Sequence, residues 1–136
     1  MNCIVLLSVF LLFPAIYGGS WFATYRTRFD FIGTLTCRLP GTRCFELKYR
    51  ELDNEERYHD TLVRTGLLCW PGPVAVVTHT GVDDGDGLFN NNYELEVQIE
   101  HNCTNDIQTT VRHSLGLVPV THTHVKIPYN LDLTSV

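Results

Sequence analysis

The residues best equipped for chemistry in this chain are its cysteines, its histidines and a row of glutamates. Cys37 closes the alternating run Gly33-Thr34-Leu35-Thr36-Cys37, and Cys103 closes Ile99-Glu100-His101-Asn102-Cys103. In both runs the thiol falls on the parity of the apolar residues, so on a strand both would face a core. Cys44 instead shares parity with Glu46 and Lys48. An inward thiol can meet another inward thiol across a sandwich, but an outward one only if the strand rotates. Of the three pairings open to Cys37, Cys44, Cys69 and Cys103, strand phase favours Cys37–Cys103 and leaves Cys44–Cys69 by elimination. Thiols held in this way are structural bridges, and no cysteine nucleophile is expected.

His122 and His124 are two residues apart, so on a strand they would share a face and could begin a chelate. They are in phase with Lys126, opposite Val125 and Ile127, and no Asp or Glu stands beside them in sequence. Zinc needs three or four ligands, so no metal site is expected, and this pair is the candidate that comes nearest. His101 has the parity of Ile99 and Cys103 and reads as a part-buried imidazole anchoring a strand end, with ring nitrogens that want partners. Glu94, Glu96 and Glu100 line the outward face of one strand, while Lys48 and Arg50 line another. The plain reading is cross-strand ion pairing on a solvated sheet; the functional one is a strip that binds a partner.

Asp83-Asp84-Gly85-Asp86-Gly87 offers oxygens without the ligand order of a calcium loop, and reads as a turn. Asn102-Cys103-Thr104 is a glycosylation sequon whose middle cysteine sets disulfide formation against glycan transfer to Asn102. No Ser/His/Asp arrangement and no glycine-rich phosphate loop after a strand stands out, so neither catalytic residues nor a cofactor are expected.

The elements that must position these residues are strands. Residues 1–19 read as a signal peptide, with the apolar run from Ile4 to Phe13, then Pro14 and small residues at Gly18 and Gly19. That run is shorter than the roughly 20 residues a membrane span needs, so the expected product is secreted and extracellular, with no transmembrane segment. Residues 20–28 form an N-terminal arm, and residues 29–136 one domain. Within the domain, Phe29 to Cys37 and Cys44 to Asp53 alternate with period two and flank Arg38-Leu39-Pro40-Gly41-Thr42, which predicts a hairpin or adjacent strands. Thr61 to Trp70 is ambiguous because Gly66 splits two apolar pairs. Val74 to Thr78 is a short β-branched strand, Gly81 to Asn92 a long turn region, and Tyr93 to Cys103 the cleanest strand. Ile107 to His113 and Val125 to Leu133 complete the set. Short alternating strands without an amphipathic helix predict an all-β sandwich or barrel. The net charge of -5 argues against a general nucleic-acid or anionic-membrane surface.

The ordered set Gly33-Thr34-Leu35-Thr36-Cys37, Asp60-Thr61-Leu62, Ile99-Glu100-His101-Asn102-Cys103 and Val125-Lys126-Ile127-Pro128-Tyr129 resembles the nematode transthyretin-like family. Asp86-Gly87-Leu88-Phe89 fits a turn common in that family, whereas Gly66–Gly81 follows no family pattern. The resemblance implies a transthyretin-like (prealbumin/immunoglobulin-like) sandwich of about seven strands, exported, and acting by binding or bridging. Its implied partners are an extracellular protein or a cell-surface component, phospholipid included; one family member is described as an adapter between phosphatidylserine and a phagocytic receptor. Hydroxyisourate hydrolases share the fold but end in Tyr-Arg-Gly-Ser, and this chain ends Asp132-Leu133-Thr134-Ser135-Val136, so an enzyme is not expected. The alternative is a carrier of a small apolar ligand at an oligomer interface; the sequence leaves the oligomeric state open.

Overall fold

The computed structural model describes residues 26–53, 58–85, 91–105 and 107–135. Eight strands follow one another: β1 (Thr27–Thr36), β2 (Arg43–Glu51), β3 (Asp60–Arg64), β4 (Leu68–Trp70), β5 (Val74–Asp83), β6 (Asn92–Thr104), β7 (Ile107–Pro119) and β8 (His124–Asp132). They form two sheets. A three-stranded sheet has the order β5-β1-β8, and a five-stranded sheet has the order β3-β2-β6-β7 with β4 also paired to β2. All pairings are antiparallel except that of β1 with β8. The described residues are thus all-β, with the sheets stacked through their apolar faces.

Period-two sequence dictates those faces. Phe29, Phe31 and Leu35 of β1 are buried, as are Phe45, Leu47 and Tyr49 of β2 and Tyr93, Leu95, Val97 and Ile99 of β6. Phe31 stacks on Tyr49 with ring centroids 4.2 Å apart, and Phe29 meets Tyr93 edge-on at 5.0 Å. Such pairs contribute about 0.5–1.5 kcal/mol beyond their burial. The disulfide Cys37–Cys103 joins β6 to the residue that follows β1, and so ties the two sheets together. Cys44–Cys69 lies within the larger sheet, linking β2 to β4 at directly paired positions.

Three expectations are corrected. β1 and β2 do not form a hairpin: Arg38 to Thr42 carries the chain from one sheet to the other. Both edges of β1 are occupied by β5 and β8, and both edges of β2 by β6 and by β3 with β4. Gly41, at φ 93°, supplies a left-handed step in this crossing. Among the described residues the strands number eight because the ambiguous Thr61–Trp70 stretch is two short strands, β3 and β4, separated around Gly66 and laid end to end along β2. The arm gives way to β1 at Thr27, and β5 extends through Gly81 to Asp83, shortening the expected turn region. The leader, most of the arm and Asp86–Phe89 lie outside the described residues.

No helix among the described residues is long and apolar enough to cross a membrane. Two disulfides are what an oxidising, extracellular compartment permits.

Candidate binding face

The outward residues of the five-stranded sheet are set by the parity that buries Leu47, Tyr49, Val97 and Ile99. Register places Glu46 opposite Glu100, Lys48 opposite Gln98 and Arg50 opposite Glu96 on β2 and β6. On the far sides, Lys48 faces Arg64 of β3, and Gln98 faces Arg112 of β7. An acidic row, Glu46 and Glu100, therefore lies beside a basic one, Arg64, Lys48 and Arg112, and the next row pairs Arg50 with Glu96. Arg64 Nε donates to Glu46 Oε1 at 2.5 Å, which holds the guanidinium above its ordinary value, first by that bond and then by the charge of Glu46. Arg50 Nη2 donates to Glu96 Oε1 at 2.5 Å, with the Arg50 side chain only 6% and that of Glu96 14% exposed. Gln108 Nε2 donates to Glu100 Oε2 at 3.3 Å.

Two adjoining depressions open on this face. One, of about 340 Å³, is lined by Cys44, Glu46, Leu67, Glu100, His101, Asn102 and Gln108. The other, of about 180 Å³, is lined by Glu46, Lys48, Arg64, Gln98 and Glu100. Glu46 and Glu100 belong to both, so the two make one groove. Leu67, 70% exposed, is apolar surface at one end; Lys48 and Arg64 are basic groups at the other. This arrangement suits a segment that carries both charges and one apolar anchor, and its shallow, open form suits a polypeptide better than an enclosed small molecule.

The residues singled out in the sequence fall into place unequally. Glu100 lies in the groove. Glu94 is exposed but sits opposite Leu117, beyond it. Glu96 is held by Arg50 and is part of the sheet's internal bonding. Asn102 lines the groove, and its Oδ1 accepts a hydrogen bond from Cys44 N at 2.9 Å, extending the ladder between β2 and β6. His101 is 2% exposed; its Nδ1 accepts from Cys103 N at 3.2 Å, and Nε2 has no partner among the described residues. Burial holds this imidazole below its usual value. Beside it, between the sheets, lies a space of about 10 Å³, room for about one water.

His122 lies just before β8 and His124 begins it, both exposed. His124 Nε2 is 2.6 Å from Asp30 Oδ2, and Asp30 Oδ1 accepts from Thr80 Oγ1 and Arg28 Nε. No group of three or more His, Cys, Asp or Glu placed to hold a metal exists among the described residues. Arg64, Leu67 and Gln108, which complete the groove, were not singled out by sequence. Arg64 follows the Leu62-Val63 pair that marks β3, but its place beside Lys48 depends on a pairing that alternation cannot reveal.

A second polar cluster sits inside the sandwich. Tyr49 Oη and Tyr129 Oη are 2.7 Å apart, and Tyr49 Oη lies 3.3 Å from His79 Nδ1. Burial, then the neighbouring Tyr129, drives the Tyr49 phenol far above its usual value; burial also raises Tyr129 and lowers His79. All three groups are therefore neutral at physiological pH, and the chain of hydrogen bonds links β8, β2 and β5 across the core.

The family described as Caenorhabditis elegans protein of unknown function (DUF870) matches residues 33–134. An uncharacterized Caenorhabditis elegans protein (B0416.7) is 28% identical over 119 residues, which cover 82% of this chain and 85% of the relative. No solved structure matches.

Proposed function

We propose that this chain, which belongs to the family described as Caenorhabditis elegans protein of unknown function (DUF870), is a secreted sandwich of transthyretin-like type that binds an extracellular protein. The observation that carries the reading is the groove on the five-stranded sheet, open to solvent, mixed in charge and ending at the exposed Leu67. Two disulfides and a filled core support a rigid display of that face. Binding, and not catalysis, is favoured because the inner Tyr49, Tyr129 and His79 are tied to one another and the buried Arg50 is spent on Glu96, which leaves the charges of the open groove to meet a partner. Within one copy the enclosed space beside His101 is about 10 Å³, too small for a ligand, so a small-ligand carrier would have to build its site between copies.

The test is proximity capture of extracellular partners with the wild-type protein and with a Leu67→Asp/Glu100→Lys variant. Both positions are on the surface or at its margin, so the variant should unfold at the wild-type urea midpoint. Loss of specific capture is expected; the same partners at the same yield would refute the groove. Flotation with phosphatidylserine-containing and neutral vesicles separates a lipid from a protein partner, because selective flotation would assign the face to the membrane.

A further inference from the structure

The groove leaves one conspicuous surface unused, the free edge of β5. Cys37 N donates to Pro73 O at 2.8 Å, which sets the phase of the β1–β5 ladder: the odd-numbered residues of β5 bond to β1. The backbone N–H and C=O groups of Val74, Val76, Thr78, Thr80 and Val82 therefore point away from β1. No backbone hydrogen bond to them is found among the described residues. Their side chains are all exposed, Val76 to 62% and Val74 and Val82 to 44%. Between Val74 and Val82 the strand has no proline and no Asp, Glu, Lys or Arg.

Natural sheet edges are normally shortened, charged, bulged or interrupted by proline. The other edges here follow that rule. β8 carries Lys126 and Pro128, β3 and β4 are five and three residues long, and β7 is irregular opposite Leu95/Glu96 and carries Arg112. β5 has none of these devices from Val74 to Val82, and its first charged residue is Asp83 at the strand's end.

We infer that β5 pairs antiparallel with β5 of a second copy, about a two-fold axis at Thr78. The occupant follows from the strand's own pattern, which is close to palindromic. That axis sets Val74 opposite Val82, Val76 opposite Thr80 and Thr78 opposite Thr78 of the second copy. Every such pair is β-branched on both sides, the kind that pairs favourably across strands. Each exchanges two backbone hydrogen bonds. Asp83 meets Pro73 and Asp84 meets Gly72, so a chain of net charge -5 brings its copies together without opposing like charges. An isologous contact of this kind closes on itself as a dimer.

Sedimentation of the secreted protein, with Thr78→Pro and Val76→Lys, tests the pairing. The Thr78 N–H faces the free edge, so proline there removes no bond to β1, and Val76→Lys alters an exposed side chain only. Wild type should sediment as a dimer, and each variant should weaken association at least roughly tenfold with unchanged far-UV circular dichroism. The register has its own probe: Thr78→Cys should cross-link two copies on mild oxidation, because a hydrogen-bonded pair sits about 5.5 Å apart, while Thr80→Cys should not. A wild-type protein that stays monomeric at hundreds of micromolar overturns the inference. So does a dimer that Thr78→Pro and Val76→Lys leave intact.

Discussion

Gly33→Ala is expected to destabilise the domain through a single contact. Gly33 is buried on β1, opposite Tyr129 in the parallel β1–β8 register. A Cβ added there would come within 2.9 Å of Tyr129 Cε2 and closer still to Cζ and Oη. The ring must move, and with it the hydroxyl that bonds Tyr49 at 2.7 Å. Overpacking costs about 1–3 kcal/mol, and the lost hydrogen bond about 0.5–1.5 kcal/mol. Against this, alanine is favoured over glycine in a strand by roughly 0.5–1 kcal/mol. The net expectation is a loss of about 0.5–4 kcal/mol, read from urea unfolding with the disulfides intact. Tyr129→Leu removes the atoms that clash. In the double variant Gly33→Ala/Tyr129→Leu the loss should therefore fall short of the two single losses added, by about 1 kcal/mol or more. Strict additivity would refute the reasoning, because it would mean that Tyr129 is not what forbids a side chain at position 33.

Removing Cys37–Cys103 should cost more than removing Cys44–Cys69: with sequence separations of 66 and 25, loop closure gives about 4.3 and about 3.5 kcal/mol, and urea unfolding of the two double-alanine variants in parallel checks the order. Glu96→Ala should cost about 3 kcal/mol by leaving the Arg50 guanidinium buried without its acid, whereas Arg50→Met/Glu96→Leu should recover most of the loss in the same assay. Asp30 is held down to about 2 from 3.8, first by His124 and then by Thr80 and Arg28; its contribution is full above 3.8 and lost as pH falls through about 2, so Asp30→Asn should flatten the acid limb of the stability–pH curve in that window. His79 and His101 are lowered from 6.5 by burial, so stability should decline as pH falls below 6.5, where unfolded imidazoles take protons first, and His79→Gln/His101→Gln should remove that slope.

Alternation carried much of this fold in the sequence. It assigned Phe29, Phe31, Leu35, Tyr93, Leu95, Val97 and Ile99 to the interior, and all are buried. Parity also placed Cys37 and Cys103 inward and Cys44 outward, and their burial follows. Parity reports a face, however, and is blind to which sheet a strand joins. Pro40-Gly41 bends the chain equally well into a hairpin or across a sandwich, and only the occupied edges of β1 and β2 decide between them. The charged residues show the same limit. Glu94, Glu96 and Glu100 look equivalent along β6, but register gives Glu96 to Arg50, Glu100 to the groove and Glu94 to neither. His124 had no acid near it in sequence because Asp30, its partner, lies 94 residues away.

The groove and the β5 edge lie on different sheets, and their separation has a geometric consequence. Pairing two β5 strands antiparallel continues the three-stranded sheet through a two-fold axis perpendicular to it, so both copies keep the same face on the same side. The five-stranded sheets then lie together on the other side, and the two grooves face the same half-space. Cys37–Cys103 and the Tyr129–Tyr49–His79 chain fix one sheet to the other within each copy. The spacing of the grooves is therefore set by the folded domains and not by a flexible linker. A rigid pair of weak sites gains most against partners that are themselves repeated or crowded on a surface, since the second contact forms at high effective concentration. If the groove binds as proposed, a shallow site of mixed charge would be weak when single, and displayed twice in one plane it would suit a crowded surface.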